Sequence, residues 1–295
     1  MPRINDYILD SVFYLYKTEH DAREGTGGGG CGVFVRYPFI TVIDGKTGIH
    51  VYAITNRHIV KEMKGEDQKL FIRVNMIDGD IDFLEIEPHS WVFHDLGHDL
   101  AICPVPVVFG KHRVEVFPHN QLLKESNVEE IDLGVGSEIV TFGRFKTHEG
   151  KQQNIPVARF GYISMMPIEP IYNKYLQINQ ESFLVECHSA SGYSGSPVTV
   201  TVGLTRHEPE IPSPGKSTKI IHEGRTFLIG IVWAHMDEYT RVVDKQDNVI
   251  NDEWYVKYNT GMMAVVPAWR IIELLESDEL AQKRQQIEKI AVDKY

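Results

Sequence analysis

Short apolar or alternating runs recur along this chain, and turn residues separate them, as at residues 44–45 and 78–80. Runs of this length, bounded by Gly and Asp, are typical of β-strands. Many short strands without helical periodicity favour closed antiparallel barrels. The predicted strands are residues 8–16, 33–42, 51–54, 70–74, 90–93 and 101–104, then 138–145, 158–165, 183–187, 197–202, 227–233 and 261–266.

These runs form two groups, and the change between them falls near residues 117–127. The pattern therefore predicts an all-β fold of two six-stranded antiparallel β-barrels. We expect the first barrel over residues 1–118, the second over residues 119–267, and a helical tail over residues 268–295.

The predicted tail begins where the spacing of apolar residues becomes helical. Trp269, Ile272 and Leu275 recur at intervals of three residues, so a helix is predicted from near Ala268. Residues 278–292 are charged and rich in helix formers. Two interpretations stay open: a helix that packs on the outer wall of a barrel and then extends into solvent, or a helix that binds a partner.

Composition narrows the function classes. The chain has 295 residues, 42% hydrophobic content and a net charge of −11, which argues against a nucleic-acid or anionic-membrane partner. No apolar run is long enough for a membrane span, and the first residues lack the apolar core of a signal peptide. Three cysteines, Cys31, Cys103 and Cys187, are an odd and low count, so we predict reduced thiols and a cytoplasmic location.

The most informative motif is GYSGSP at residues 192–197, a serine between glycines just before an apolar strand. A serine hydroxyl becomes a useful nucleophile when a base takes its proton and backbone N–H groups face the oxyanion. The segment ITNRHIV at residues 54–60 reads as a strand ending at His58, and HDLAI at residues 98–102 places Asp99 ahead of another strand. Taken singly, these are also an ordinary turn, a strand-end histidine and a strand-start aspartate. Together they supply the serine, imidazole and carboxylate of an acyl-transfer triad.

The order His58, Asp99, Ser194 and the motifs around these residues resemble the chymotrypsin-fold serine peptidases, and most of all the trypsin-like peptidase domains of the HtrA type. The resemblance also rests on segments that look like the family's first-barrel opening, second-barrel opening and closing strand. These segments are GCGVFV at residues 30–35, GSEIVTFG at 136–143 with FGYIS at 160–164, and GMMAVVP at 261–267. The resemblance covers nearly the whole chain and implies a two-barrel serine endopeptidase.

By this resemblance, Ser194 is the nucleophile, His58 the general base and Asp99 the acid that orients His58, with the N–H groups of Gly192 and Ser194 as the oxyanion hole. Asp95 competes with Asp99 for the orienting role, and Asp99 is preferred because a strand directly follows it.

The sequence departs from the family pattern at Tyr193, where digestive members carry an aspartate that pairs with a new N-terminus. Activation by N-terminal insertion is therefore not expected, and the oxyanion loop must be held in another way. Ser196 replaces a more usual glycine. Only residues 276–295 follow Leu275, so no PDZ-like domain is expected.

The resemblance also suggests a substrate pocket. His188 stands where trypsin-like enzymes carry the aspartate that selects Arg and Lys, so a basic P1 residue is disfavoured. An apolar P1 and a polar or acidic one both stay open. Two long segments, residues 205–225 and 237–260, flank this cleft and look like hairpin or loop insertions. The predicted pocket residues are His188, Ser189, Ala190, Ser191, Trp233, Ala234, His235, Gly261 and Met263.

Other motifs carry less weight. The glycine-rich residues 25–32 lack the Gly-Lys-Ser/Thr of a phosphate loop, and Gly97 spoils a helical metal site at His94 and His98. We expect no cofactor and no metal. The remaining scattered histidines, among them His50 and His112, read as solvent-facing.

Three function classes remain: an endopeptidase acting on a protein or peptide, a catalytically silent protease fold that binds a partner, and a serine esterase. An activating protein partner would fit the first class, and the oligomeric state is not readable. The order of the triad and the lack of alternating helices count against α/β-hydrolase esterases.

Overall fold

The computed structural model describes residues 4–43, 46–63, 69–145, 150–174, 176–187, 192–207 and 220–292. Strands dominate the described ranges and form two curled sheets that pack against each other. Residues of both sheets share the largest buried cluster, in which Val33 and Ile54 lie with Val198 and Val232. The two sheets therefore share one continuous apolar interior.

The first sheet has eight strands, in the order β5-β4-β1-β2-β3-β7-β6, and β8 pairs in parallel with β2. The parallel strand is only two residues long, which explains why the sequence pattern did not reveal it. The ranges are β1 (Val12–Tyr16), β2 (Gly30–Ile43), β3 (Lys46–Thr55), β4 (Leu70–Asn75), β5 (Ile81–Ile86), β6 (Val92–Phe93), β7 (Ala101–Pro104) and β8 (Phe117–Pro118).

The second sheet is a closed antiparallel barrel in the order β10-β13-β16-β15-β14-β9, and β11 and β12 form a separate two-stranded sheet. The expected double-barrel architecture is thus confirmed, with six strands in the second barrel and eight in the first sheet. The ranges are β9 (Glu138–Gly143), β10 (Val157–Met165), β11 (Ile171–Asn173), β12 (Ile178–Gln180), β13 (Phe183–Cys187), β14 (Pro197–His207), β15 (Ile220–Arg241) and β16 (Tyr255–Pro267).

The described residues also contain helices. They are α1 (Glu19–Glu24), α2 (Arg57–Met63), α3 (Ala268–Leu275) and α4 (Asp278–Val292), with 3-10 turns at Asp6–Ser11, Pro88–Ser90, His119–Gln121 and Glu125–Asn127. The first predicted strand is therefore too long, because residues 6–11 form a 3-10 turn that Asn5 caps by accepting a hydrogen bond from the Tyr7 amide. None of the helices in the described ranges is long and apolar enough to cross a bilayer.

The helical tail does not extend into solvent as one interpretation predicted. Glu288 on α4 is buried against the β2–β3 hairpin and accepts hydrogen bonds from the amides of Ile40 (3.1 Å) and Thr41 (2.9 Å). Its carboxylate also lies 3.0 Å from Nε2 of His50. Arg284, one helical turn earlier, donates to the backbone carbonyl of Leu275 at 2.7 Å. A charged segment can thus pack on a barrel because its buried charges find partners there.

Two histidines that the sequence indicated as solvent-facing are buried. His50 packs under α4 beside Glu288, and His112 lies 3.0 Å from a carboxylate oxygen of Asp82. Cys31, Cys103 and Cys187 are all buried, and none of the three forms a disulfide bond. The domain limits and the cytoplasmic location stay predictions.

Candidate active site

His58 lies on a helix and not, as predicted, at the end of a strand. Strand β3 ends at Thr55, and α2 begins at Arg57, directly after Asn56, a residue type that favours helix N-caps. His58 thus sits in the first turn of α2. Its side chain is buried, and its Nδ1 donates to Oδ2 of Asp99 at 2.6 Å.

Asp99 is completely buried in the loop that precedes β7. Its Oδ1 accepts a hydrogen bond from the backbone amide of His58 at 2.9 Å, so one carboxylate bonds both the ring and the main chain of the same residue. The Asn56 side chain donates to the carbonyl of Asp99 at 3.0 Å and fixes the loop from the other side. These bonds set the imidazole ring in one orientation, with Nδ1 protonated and Nε2 as the basic nitrogen.

The competing acid, Asp95, is exposed to solvent. The described contacts therefore pair His58 with Asp99.

Two residues that the sequence did not indicate complete the surroundings of Asp99. Asn173, at the end of β11, donates from Nδ2 to Asp99 Oδ2 at 3.3 Å. Gln180, at the end of β12, accepts the backbone N–H of Asp99 on Oε1 at 2.9 Å. Both are completely buried. The two-stranded sheet between β10 and β13 thus reaches across to the acid of the first sheet.

Gln180 is itself oriented by His98. Its Nε2 donates to His98 Nδ1 at 2.9 Å and to the Glu181 carbonyl at 3.0 Å. Burial lowers the pKa of His98, and this favours the neutral ring whose Nδ1 can accept a hydrogen bond. His94 packs edge-on against His98 with ring centroids 4.7 Å apart, but the described residues contain no cluster of metal-ligating side chains.

Ser194 lies half-buried in a tight turn that the backbone closes. The Ser196 amide donates to the Tyr193 carbonyl at 2.9 Å, and the Gly195 amide donates to the Val232 carbonyl at 2.8 Å. Gly192 and Gly195 have φ angles of 101° and 83°, a region that side-chain-bearing residues rarely adopt. The glycines on both sides of Ser194 are therefore required by the shape of the turn.

The turn that carries Ser194 is bonded to β2 of the first sheet at Cys31. The Cys31 amide donates to the Ser194 carbonyl at 2.9 Å, and the Cys31 carbonyl accepts the Thr55 hydroxyl at 2.6 Å. A Cβ at Gly195 would collide with the Cys31 carbonyl oxygen and would lie 2.7 Å from Thr55 Oγ1. Cys31 thus links the Ser194 carbonyl to Thr55, the last residue of β3, which precedes His58 by three residues in the chain.

The two residues with predicted oxyanion amides lie at the start and the centre of this turn. In the part of the chain that the structure describes, neither the Gly192 nor the Ser194 N–H donates to a backbone carbonyl. An oxyanion hole requires N–H groups that no backbone carbonyl already occupies.

Only part of the predicted pocket lies within the described residues. His188, Ser189, Ala190 and Ser191 lie outside them, so the pocket as a whole stays a prediction.

Trp233, Ala234 and Met263 are buried, and Trp233 Nε1 donates to Ser182 Oγ at 2.9 Å. His235 and Gly261 are partly exposed. Burial lowers the pKa of His235, while Asp237 acts in the opposite direction.

The two long segments beside the cleft extend barrel hairpins. Strands β14 and β15 stay paired from Pro197↔Ile231 out to His207↔Ile220. Strands β15 and β16 stay paired out to Arg241↔Tyr255. The described parts of residues 205–225 and 237–260 are therefore arms of β-hairpins.

Comparison with known proteins gives a structural similarity but no match in sequence. No protein-family model and no curated protein matches the sequence. The protease domain of MamO from Magnetospirillum magneticum, in its apo form, is similar in structure, with a TM-score of 0.51 and 16% identity. The match covers 93% of this chain and 100% of that domain. A structure of Rv3671c from M. tuberculosis H37Rv, an inactive-form mutant, matches with a TM-score of 0.43 and 14% identity, over 91% of this chain and 87% of that one. The sheet topology and the similarity to the MamO protease domain together show a chymotrypsin-like double-barrel fold.

Proposed function

We propose that the protein is a serine endopeptidase that hydrolyses peptide bonds through Ser194, His58 and Asp99. One observation carries the proposal: the buried Asp99 carboxylate bonds both Nδ1 and the backbone amide of His58. A buried carboxylate is costly unless its oxygens are paired. Here its pairing orients the His58 imidazole, which acyl-transfer chemistry requires of its general base.

In the proposed mechanism, Ser194 Oγ attacks the peptide carbonyl carbon while Nε2 of His58 takes the hydroxyl proton. The carbonyl oxygen becomes an oxyanion that the N–H groups of Gly192 and Ser194 stabilise, each donor contributing about 3 kcal/mol. His58 then gives its proton to the leaving amine, and the C–N bond breaks to leave an acyl-enzyme. Water then attacks the acyl carbon while His58 takes its proton. The ester bond to Ser194 breaks, and His58 returns the proton to Ser194 Oγ.

The substrate is a protein or peptide, and its P1 side chain is not basic. This part rests on the family resemblance, which assigns His188 to the pocket base, and on the apolar Met263. The lowered pKa of His235 favours a neutral ring, which can bond a polar P1 group but cannot supply a positive charge for an acidic one. A peptide-library digest tests this. Dominant cleavage after Arg or Lys contradicts the pocket assignment.

Labelling with a fluorophosphonate probe tests the function itself, because the probe reacts only with an activated serine. We expect the wild type to be labelled, Ser194→Ala to be unlabelled, and Ser126→Ala, which removes an exposed hydroxyl, to be labelled like the wild type. Labelling that survives Ser194→Ala contradicts the assignment.

The same experiment separates the other function classes. A folded wild type that is not labelled favours a silent protease fold that binds a partner. A labelled protein that hydrolyses peptide esters but no peptide amides favours an esterase. An activating protein partner stays part of the proposal. So does a cytoplasmic location, which the buried cysteines without disulfide bonds suggest.

A further inference from the structure

Tyr193 lies between the two residues whose amides form the proposed oxyanion hole, and its side chain is completely buried. The phenol points toward β10. Its hydroxyl accepts a hydrogen bond from Arg159 Nε at 2.7 Å and donates one to the Val157 carbonyl at 3.2 Å. A buried phenol requires such partners, since an unpaired hydroxyl is costly to bury.

Arg159 holds the ring as well as the hydroxyl. Its guanidinium carbon lies 4.9 Å from the centroid of the Tyr193 ring, within the range of cation–π attraction. Burial raises the pKa of Tyr193, and the Arg159 cation opposes that rise without reversing it. The side chain therefore stays a neutral phenol that can both donate and accept.

The barrel leaves space for Tyr193 at one glycine of β9. A Cβ at Gly143 would lie 2.8 Å from the Tyr193 ring and would collide with Ser196 Oγ. The ring thus fills a fitted site between β9 and β10. A residue fixed so firmly also fixes the backbone of its neighbours, because the Tyr193 carbonyl accepts the Ser196 amide across the turn.

We propose that Tyr193 and Arg159 together hold residues 192–194 in the geometry that binds the oxyanion. This inference rests on the proposed function. Tyr193 is then a positioning residue: it contacts no reacting atom, and it acts through the amides on either side of it. The contacts of Tyr193 with Arg159 and Val157 support the turn at residues 192–194, so no cleaved N-terminus is needed to order it.

Steady-state kinetics of Tyr193→Phe and Arg159→Met on a peptide amide test the proposal. Tyr193→Phe keeps the ring in its site and removes only the hydroxyl, so the fold is retained. We expect kcat to fall about 10- to 100-fold with KM within about twofold of the wild type, because only the transition state uses the oxyanion amides. Affinity for a peptidyl boronate, which places an oxygen in the hole, falls by a similar factor.

Tyr162→Phe is the matched control, since Tyr162 lies on the same strand β10 but is 49% exposed. It should retain wild-type kcat, and all variants should keep the wild-type circular dichroism spectrum. Arg159→Lys keeps the cation and should recover part of the lost kcat.

The outcomes separate the two proposals. Tyr193→Phe and Arg159→Met with wild-type kcat and boronate affinity overturn the positioning role and leave the proposed function intact. A fall in kcat matched by an equal rise in KM also overturns it, because that indicates a damaged binding cleft. A wild type that neither reacts with the fluorophosphonate nor binds the boronate overturns the proposed function, and the positioning role with it.

Discussion

The side-chain amide of Asn173 donates a hydrogen bond to the carboxylate of Asp99 over 3.3 Å, although 74 residues separate them in the chain. Asn173 belongs to the small β11–β12 hairpin, and Asp99 lies in the loop that precedes strand β7 of the first sheet. The same carboxylate oxygen accepts a hydrogen bond from Nδ1 of His58, so the hairpin helps to set the orientation of the imidazole.

Asn173→Ala should lower kcat about 10-fold with little change in KM. A hydrogen bond to a charged group contributes about 1.5–3 kcal/mol, and its loss lets the carboxylate rotate away from the ring. Asn179→Ala, on the exposed side of the same hairpin, is the matched control and should retain wild-type kcat. Equal kcat for the two variants would show that the hairpin does not support the acid.

Asp99→Asn should lower kcat about 10⁴-fold without unfolding the protein, because an amide in that place favours the wrong imidazole tautomer. Asp95→Asn tests the competing acid and should leave kcat unchanged, since Asp95 is exposed. Steady-state kinetics on one peptide amide distinguish them, and a larger loss in Asp95→Asn would reverse the assignment.

Gly143→Ala should lower both activity and stability, because the new methyl group would enter the site of the Tyr193 ring and Ser196 Oγ. Overpacking of this kind costs about 1–3 kcal/mol in the free energy of unfolding. Gly134→Ala is the control, since a Cβ there meets nothing within 4 Å. Chemical denaturation and the fluorophosphonate labelling rate measure the two effects. A fully active, stable Gly143→Ala would contradict the close packing around Tyr193.

Glu288→Ala should lower the free energy of unfolding by about 3 kcal/mol at pH 7, because it leaves His50 and two backbone amides without their acceptor. Glu279→Ala, which removes only a surface ion pair with Lys283, should cost less than about 1 kcal/mol. Denaturant titrations of both variants against the wild type measure the difference.

The effect of Glu288 should also depend on pH. Burial raises the pKa of Glu288, but hydrogen bonds from His50, Thr41 and Ile40 outweigh it and lower the pKa to about 2. A carboxyl group with a depressed pKa stabilises the fold above its ordinary pKa of 4.5, and that stabilisation disappears as the pH falls toward 2. The gap between wild type and Glu288→Ala should therefore shrink below about pH 4.5. A gap of constant size from pH 7 to pH 3 would show that the carboxylate charge is not what stabilises the helix.

The sequence indicated the triad because each member lies beside a strand with a clear apolar pattern. It did not indicate the helix at His58, since Ile59 and Val60 continue an apolar run that fits a strand as well as a short helix. By contrast, residues 205–225 and 237–260 were expected to be hairpin or loop insertions, and their described parts are arms of β-hairpins. Local patterns therefore pointed to the candidate residues His58, Asp99 and Ser194 but not to the helix that carries His58.

Asn173, Gln180 and His50 escaped prediction for a different reason. Each is a polar residue in a short or alternating stretch, where such residues ordinarily face solvent. Their burial depends on partners at Asp99 and Glu288 that lie 74 to 238 residues away in sequence. Without the fold, nothing local distinguishes them from surface residues.

The contact between His50 and Glu288 joins positions 238 residues apart, and this has a consequence for synthesis on the ribosome. The first sheet emerges early, whereas the helix that covers its β2–β3 hairpin is translated only after the whole second barrel. During that interval the hairpin presents His50 and the neighbouring apolar face of Phe39 and Ile49 uncovered. Nascent chains with such an exposed face are prone to aggregate, so a chaperone that binds apolar segments would aid this protein most before residue 288 is added.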